Sequence, residues 1–235
     1  MATIYAGTSG WAYPSWKPAF YPAKLASKKF LEFYATRLNS VEVNYTFRRF
    51  VTEKLLAGWI AATPQHFQFT VKAHQAITHI KRLREAAEFT RSFLGSLQPL
   101  VEAGKLGCVL FQFPPFQNSD PELLKEFLAI LPASVRCAFE FRHASWFAEE
   151  IYALLRNANA ALCLAESEKL VVPEVETAGF VYFRLRKPEY SPAERKALKE
   201  KVGRLSEAKK DVYVYFKHED TPEGASYAEE LLARY

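Results

Sequence analysis

Cysteine and methionine are scarce in this 235-residue chain, with three and one respectively, and long apolar runs are missing. Cys108, Cys137 and Cys163 lie far apart in apolar stretches, without the spacing of a zinc site, so we expect buried, reduced thiols and no bound metal. No run approaches the roughly 18 apolar residues of a membrane helix. The N-terminal residues do not have the pattern of a signal peptide. We therefore expect a cytoplasmic protein that does not contact membranes.

The overall composition is that of a globular protein, with 49% apolar and 24% charged residues. The formal net charge is +5 and the isoelectric point is near 9.0. A basic surface is compatible with nucleic acid or another anionic partner, although many proteins carry this much charge for solubility alone. On charge alone we favour the solubility interpretation.

Short β-rich segments alternate with amphipathic ones along the whole chain. Such alternation predicts a parallel sheet, and about eight strands in a chain of this length predict closure into a barrel. We therefore expect residues 1–235 to form a single α/β domain, a TIM-like (β/α)8 barrel. The predicted strands are Thr3–Gly7, Val41–Asn44, Phe67–Ala73, Cys108–Phe113, Arg136–Arg142, Ala160–Leu164, Phe180–Leu185 and Val212–Phe216.

Helix-capping residues support the same architecture. Thr52 and Asp120 are suited to the N-terminal ends of helices, and Ser191 begins a capping box. The segment between Leu164 and Phe180 lacks a helical pattern. The sixth crossover of the barrel is therefore predicted to be irregular.

Several predicted strands are apolar on one face and polar on the other. The apolar face must meet the helices, so the polar residues should point into the barrel near the C-terminal strand ends, where barrel enzymes place their chemistry. A set of buried ions without purpose would be costly. The residues form either a functional site or an ion network that braces the barrel, and we favour the site. The set is Glu42, Asn44, Lys72, Gln112, Glu140, Arg142 and Arg184.

One hypothesis is an enzyme, a hydrolase or lyase that acts on a phosphorylated or nucleic-acid substrate. Carboxylates and imidazoles can transfer protons, whereas cations can hold an anionic substrate. The catalytic candidates are Glu42, Glu140 and His143. The substrate-binding candidates are Asn44, Lys72, His79, Gln112, Arg142, Trp146 and Arg184. We also expect Glu140→Gln to fold, with a melting temperature within a few degrees of the parent protein.

Two other functions use the same residues. A non-catalytic barrel could bind an anion or nucleic acid without any titrating carboxylate. A glycosidase-like hydrolase would use the two carboxylates and the aromatic rim, although the excess of cations counts against a neutral sugar. The sequence does not identify a cofactor. A metal site needs several histidines and carboxylates that converge, and the predicted pocket offers few of them, so metal dependence is disfavoured.

Short motifs spread along the chain resemble those of the YecE-like family, also known as domain of unknown function seventy-two. That resemblance implies a TIM-like barrel and no established activity. The matching motifs are Gly7–Trp11, Phe20–Pro22, Val41–Asn44 with Thr46-Phe47, Val71–Ala73, Ile77–His79, Phe111–Pro115, and Phe139–His143 with Ser145-Trp146.

Two C-terminal positions depart from the family pattern. Arg186-Lys187 stands where the family resembles His-Gly, and Lys217-His218 stands where it resembles Asn-Asn. We expect the roles of these positions to differ from those in relatives.

Overall fold

The computed structural model describes residues 2–217 and 220–233, and eight parallel strands organise it. Their order in the sheet is β1-β8-β7-β6-β5-β4-β3-β2, so each strand lies beside its neighbour in sequence and β8 returns to β1. The strands are β1 Ile4–Thr8, β2 Ser40–Val43, β3 Gln68–Lys72, β4 Leu106–Gln112, β5 Cys137–Glu140, β6 Ala161–Ala165, β7 Phe180–Leu185 and β8 Asp211–Phe216. The predicted TIM-like barrel is confirmed.

Helices follow most strands and cover the outside of the sheet. They are α1 Phe30–Arg37, α2 Glu53–Ala61, α3 Ala87–Ser96, α4 Gln98–Glu102, α5 Pro121–Ala129, α6 Glu149–Asn157, α7 Pro192–Glu207 and α8 Glu223–Leu232. The predicted caps are confirmed: Thr52 accepts a hydrogen bond at the start of α2, Asp120 does so at α5, and Ser191 forms a capping box at α7. Among the described helices, none is long and apolar enough to span a bilayer.

The sixth crossover is irregular, as predicted. Residues 166–179 contain no helix between β6 and β7. The buried hydroxyl of Thr177 fastens this segment to β6, because it accepts a hydrogen bond from the Leu162 amide and donates one to the Ala160 carbonyl. Side-chain hydrogen bonds thus replace the packing that a crossover helix would supply.

Side chains close the barrel between β1 and β2, where few ladder hydrogen bonds form. The Asn39 amide oxygen accepts from the backbone N–H of Ala6 at 2.9 Å. The Tyr34 hydroxyl accepts from the Thr8 N–H at 2.8 Å and donates to the Ser40 carbonyl at 3.0 Å. These bonds satisfy strand-edge groups that would otherwise be unpaired in the interior.

The two faces of the strands separate two apolar clusters. In β7, Val181, Phe183 and Leu185 pack with the helices, whereas Tyr182 and Arg184 face the barrel interior. Small residues and tyrosines fill that interior beneath the polar layer, and they include Cys108, Leu110, Ala138, Cys163, Tyr182, Tyr213 and Tyr215. All three thiols are buried and unbonded to one another, in agreement with the sequence-based expectation.

Candidate functional site

A buried arginine joins two carboxylates at the C-terminal ends of the strands. Arg184, near the end of β7, is only 4% exposed. Its guanidinium grips Glu42 of β2 through two hydrogen bonds, Nε to Oε2 at 2.8 Å and Nη2 to Oε1 at 2.7 Å. Nη1 of the same side chain bonds Oε2 of Glu140, which ends β5. Arg184 therefore spans the barrel interior and fixes both carboxylates.

Glu140 has two further partners. The Gln112 amide donates to both of its carboxylate oxygens, at 3.0 and 2.9 Å. Arg186, just beyond β7, donates from Nη2 to Oε1 at 2.8 Å. We call Glu42, Glu140, Arg184 and Arg186 the buried ion cluster.

Neutral donors complete the hydrogen bonding of the Glu42 carboxylate. The Ser9 hydroxyl donates to Oε1 at 2.8 Å, and the Tyr182 hydroxyl donates to Oε2 at 2.7 Å. Asn44, directly after β2, makes a longer contact to Oε1 at 3.4 Å. Every oxygen of this fully buried carboxylate is thus hydrogen-bonded, which compensates the cost of its burial.

Both carboxylates are held in their ionised form. Burial raises the pKa of each, but the guanidinium groups and the hydrogen bonds outweigh that effect. The pKa of Glu42 lies below its usual range, chiefly because of Arg184. Arg184 and Arg186, together with Gln112, lower the pKa of Glu140 to about 2. Near neutral pH neither carboxyl group therefore carries a proton that it could donate.

Within the part of the chain that the structure describes, Lys72, the last residue of β3, is not paired with a carboxylate as Arg184 and Arg186 are. Its Nζ lies 4.1 Å from the centroid of the Phe47 ring. Among the described residues, none forms a salt bridge or side-chain hydrogen bond with this amino group. Burial and the charge of Arg184 lower the pKa of Lys72 to about 8, although Glu140 and Glu42 oppose the shift.

His79 also contacts the ring of Phe47. A short π-helical turn, Ala76–Ile80, follows β3 and places the imidazole edge-on to the Phe47 ring, with 5.0 Å between the centroids. Nδ1 is 2.9 Å from the Thr78 hydroxyl. Burial, followed by the charges of Lys72 and Arg142, lowers the pKa of His79. The ring is therefore mostly neutral near pH 7.

A small pocket adjoins this part of the barrel mouth, the rim formed by the C-terminal strand ends. It measures about 430 Å³ and is lined by Asn44, Tyr45, Phe47, Arg48 and Arg49. Phe47 thus belongs both to the pocket and to the surroundings of Lys72 and His79. A larger groove of about 550 Å³ lies elsewhere, on the outer surface between α1 and α2, and includes none of the predicted site residues.

Besides Asn44, Lys72, His79 and Gln112, three more predicted site residues lie outside the buried ion cluster. Arg142 is 40% exposed and reaches Glu140 only at 4.0 Å. Because β5 ends at Glu140, Arg142 is not on the inward face of a strand, contrary to the sequence prediction. His143 bonds within its own turn, with Nδ1 2.9 Å from the Ser145 hydroxyl.

Trp146 belongs to the outer core. It is fully buried, its ring stacks on Phe141 with centroids 4.5 Å apart, and its Nε1 donates to the Gln117 carbonyl at 2.8 Å. An indole with no exposed surface and a satisfied N–H cannot contact a ligand in this conformation. In this structure Trp146 therefore packs in the core and does not line the mouth of the barrel, where the sequence analysis predicted a ligand contact.

The sequence analysis omitted Ser9, Tyr182 and Arg186 from the site. Tyr182 and Arg186 stand two residues either side of Arg184, so strand alternation was the signal that could have found them. Ser9 pairs with Glu42 in an isolated β-bridge just after β1, for which no sequence pattern exists.

Of the described residues that depart from the family pattern (Arg186, Lys187 and Lys217), only Arg186 belongs to the buried ion cluster. Lys187 instead bonds Glu194 of α7 at 2.7 Å. Lys217 shares a backbone bond with Leu185, and His218 lies outside the described residues. In the part of the chain that the structure covers, no three His, Cys, Asp or Glu side chains are grouped as metal ligands would be.

A family model described as a protein of unknown function, DUF72, matches residues 5–235. The chain belongs to the DUF72 family. This DUF72 chain is 29% identical to a DUF72 family protein from Thermotoga maritima MSB8, whose crystal structure superposes with a TM-score of 0.85 over 99% of this chain and 98% of that one. A DUF72 family protein from Enterococcus faecalis V583, at 21% identity, shares the fold with a TM-score of 0.82 over 98% and 96% of the two chains.

The "UPF0759 protein YunF" of Bacillus subtilis (strain 168) is 35% identical over 159 residues. That match covers 63% of this DUF72 chain and 54% of the relative, so it spans about half of the relative's length. These comparisons agree with the barrel fold and name an uncharacterised family.

Proposed function

We propose that this DUF72 protein binds a small anionic ligand at the barrel mouth. The observation that carries the proposal is an imbalance of charge. At the C-terminal strand ends, three carboxylates, Glu42, Glu140 and Glu166, lie with four cationic side chains, Lys72, Arg142, Arg184 and Arg186. A partly desolvated site with excess positive charge is stabilised when an anion enters it.

The cations divide into two groups by their bonding. Arg184 is committed to Glu42 and Glu140, so it organises the site instead of facing a ligand. Lys72 and Arg142 keep their donors largely free among the described residues, and the side chain of Arg186 is still 22% exposed beside its bond to Glu140. These donors are the ones that an anion would engage.

The pocket beside Phe47 favours a small ligand over a polymer. Its volume of about 430 Å³ is within the range of small-molecule sites, roughly 300–1,000 Å³. Arg48 and Arg49 line it, so its own charge is also positive. A single anionic metabolite of modest size fits this combination of volume and charge.

The carboxylates do not suit the glycosidase-like alternative. Such enzymes need one carboxylic acid that is protonated at the working pH. The pKa of Glu140 is about 2 and that of Glu42 is lowered, so both are anions and both are bound by Arg184. Their bonding supports a role as fixed counter-charges.

Calorimetric titration with inorganic phosphate, adenosine monophosphate and a short single-stranded oligonucleotide tests the proposal. We expect the small anions to bind at millimolar concentration or below, with a weak dependence on salt. Arg142→Ala should weaken binding about 10-fold or more, because a charge-assisted hydrogen bond contributes roughly 1.5–3 kcal/mol. Arg91→Ala, which removes an exposed arginine of α3, is the matched control and should leave affinity unchanged.

Two results would contradict this function. The absence of binding by either small anion at millimolar concentration would show that the cations are purely structural. Binding of the oligonucleotide alone, with a steep fall in affinity as salt rises, would favour a nucleic-acid-binding barrel, since displaced counterions make such binding salt-dependent.

A further inference from the structure

We propose that Lys72 is a nucleophilic amine that forms an imine with the aldehyde or ketone group of an anionic carbonyl compound. The proposal rests on the function proposed above, since it names the substrate class of the same site. It starts from position: Lys72 is the last residue of β3, at the end of the barrel where the polar side chains converge. A group there can meet a ligand that enters the mouth.

The bonding of Lys72 sets it apart from the other buried cations. Arg184 and Arg186 are paired with carboxylates. Lys105, which directly precedes β4, donates hydrogen bonds to three oxygen atoms. Lys72 instead lies against the face of Phe47, with no carboxylate bonded to its amino group among the described residues. The ring face itself favours the charged ammonium, but within the described chain the amine lacks a bonded anion, the partner that would hold its proton most strongly.

The charges around the amine favour its neutral form. A lysine becomes nucleophilic near neutral pH when it is desolvated or lies next to other cations. Both conditions hold for Lys72, whose pKa is lowered to about 8. The charged or titratable groups that act on it are Arg184 and Arg186, which lower that pKa, and Glu140 and Glu42, which raise it, while His79 shares its contact with Phe47.

The imine step balances without any further reagent. The Nζ lone pair bonds to the carbonyl carbon, and one N–H proton passes to the carbonyl oxygen to give a carbinolamine. The carbinolamine hydroxyl then takes up the second N–H proton and leaves as water while the C=N bond forms. His79, which is mostly neutral and lies edge-on to the Phe47 ring, would transfer these protons. Arg142, 40% exposed, and Arg186, 22% exposed, would hold the carboxylate or phosphate of the same molecule.

Reductive trapping on the unmodified protein tests this directly. The protein is incubated with glyoxylate, pyruvate or pyridoxal phosphate, and in parallel with the neutral propionaldehyde, in the presence of cyanoborohydride, which reduces an imine to a stable secondary amine. Peptide mapping by mass spectrometry then locates the adduct. We expect Lys72 to be labelled by at least one anionic carbonyl about 10-fold more than exposed Lys54, with excess phosphate protecting it.

The pH profile and two variants sharpen the result. Labelling of Lys72 should rise through about pH 8 and level off above it. Lys72→Arg keeps the charge without a nucleophile, so it should lose the adduct while its phosphate affinity falls less than that of Lys72→Met. Lys72→Met should lose the adduct and bind phosphate more weakly.

The outcomes separate the two proposals. If phosphate binds but no anionic carbonyl labels Lys72 above the level of Lys54, the imine proposal is overturned and the anion site stands. If Lys72 is labelled equally by propionaldehyde and by the anionic carbonyls, and phosphate neither binds nor protects, then the reactive lysine stands and the anion site is overturned.

Discussion

Replacement of Glu140 by glutamine tests whether the buried ion cluster exists in solution as the structure shows it. The substitution keeps the shape of the side chain but removes the charge that faces Arg184 and Arg186. Removal of one partner from a buried ion pair costs about 3–5 kcal/mol, because the remaining charge is left uncompensated. In a domain of this size that loss corresponds to a fall in melting temperature of roughly 6–20 °C.

This estimate revises the expectation drawn from the sequence. Without the structure, a polar residue in a candidate site was expected to tolerate Glu140→Gln within a few degrees. In the structure Glu140 accepts hydrogen bonds from three side chains and is only 1% exposed. A residue with that many buried partners contributes to folding whatever else it does.

The pH dependence gives a sharper form of the same test. The pKa of Glu140 is about 2 in the folded protein, compared with 4.5 for an ordinary glutamate. A lowered pKa means that this group stabilises the fold above pH 4.5, and that its contribution is lost as pH falls from there towards 2. Each pH unit in that window costs about 1.4 kcal/mol for one proton.

At about pH 3 the parent protein should therefore have lost roughly 2 kcal/mol that the glutamine variant never possessed. Urea unfolding, followed by tryptophan fluorescence, measures the free energy of unfolding of both proteins at about pH 7 and about pH 3. The carboxylates outside the buried ion cluster titrate alike in both proteins, so they cancel in the comparison. We expect the gap between the two proteins to shrink by roughly 2 kcal/mol at the lower pH.

Glu122→Gln is the matched control, since Glu122 is 79% exposed and, within residues 2–217 and 220–233, forms a salt bridge only with Lys125. It should change stability by no more than about 0.5 kcal/mol at either pH. An equal gap at both pH values for Glu140→Gln would refute the ion pairing of Glu140. Stability equal to that of the parent protein at neutral pH would refute it as well.

Two further predictions concern the frame of the barrel. Lys105→Met should lower the free energy of unfolding by about 1–3 kcal/mol in urea titrations, because the Lys105 ammonium bonds three oxygen atoms at the end of α2; exposed Lys54→Met should have little effect. Gly7→Ala should abolish soluble, cooperatively unfolding protein, because the added Cβ would lie 1.9 Å from the Ser40 carbonyl oxygen. Gly58 lies in α2 with open space around it, so Gly58→Ala should instead raise the free energy of unfolding by up to about 1 kcal/mol. A lower melting temperature for Gly58→Ala than for Gly7→Ala would contradict the close approach of β1 to β2.

The fold was predictable because its signals are local and repeated. Several strands carry their own alternation, and the caps at Thr52, Asp120 and Ser191 mark helix starts within a few residues. The same alternation predicted Glu42, Gln112 and Glu140 inside the barrel, where the structure finds them. A pattern that recurs in several strands tolerates an error in any one of them.

The site was less predictable where it depends on residues beyond the strand ends. Arg142 was assigned to β5, but the strand ends at Glu140, so the rule of alternating faces no longer applies to it. Trp146 followed a strand as other rim aromatics do, and no sequence pattern distinguishes an aromatic that packs inward from one that meets a ligand. Long-range partners such as Ser9 of the Glu42 carboxylate are visible only in three dimensions.

The departure from the family pattern at Arg186 bears directly on which groups can transfer protons. The sequence resemblance predicts a histidine at this position, a side chain that titrates near neutral pH. An arginine does not titrate there, and here it bonds Glu140 at 2.8 Å, so it adds a permanent charge that keeps the carboxylate ionised. The same charge lowers the pKa of Lys72. Where the resemblance predicts a titratable imidazole, Arg186 thus places a permanent charge that makes the amine of Lys72 easier to deprotonate, as the imine chemistry proposed for this lysine requires.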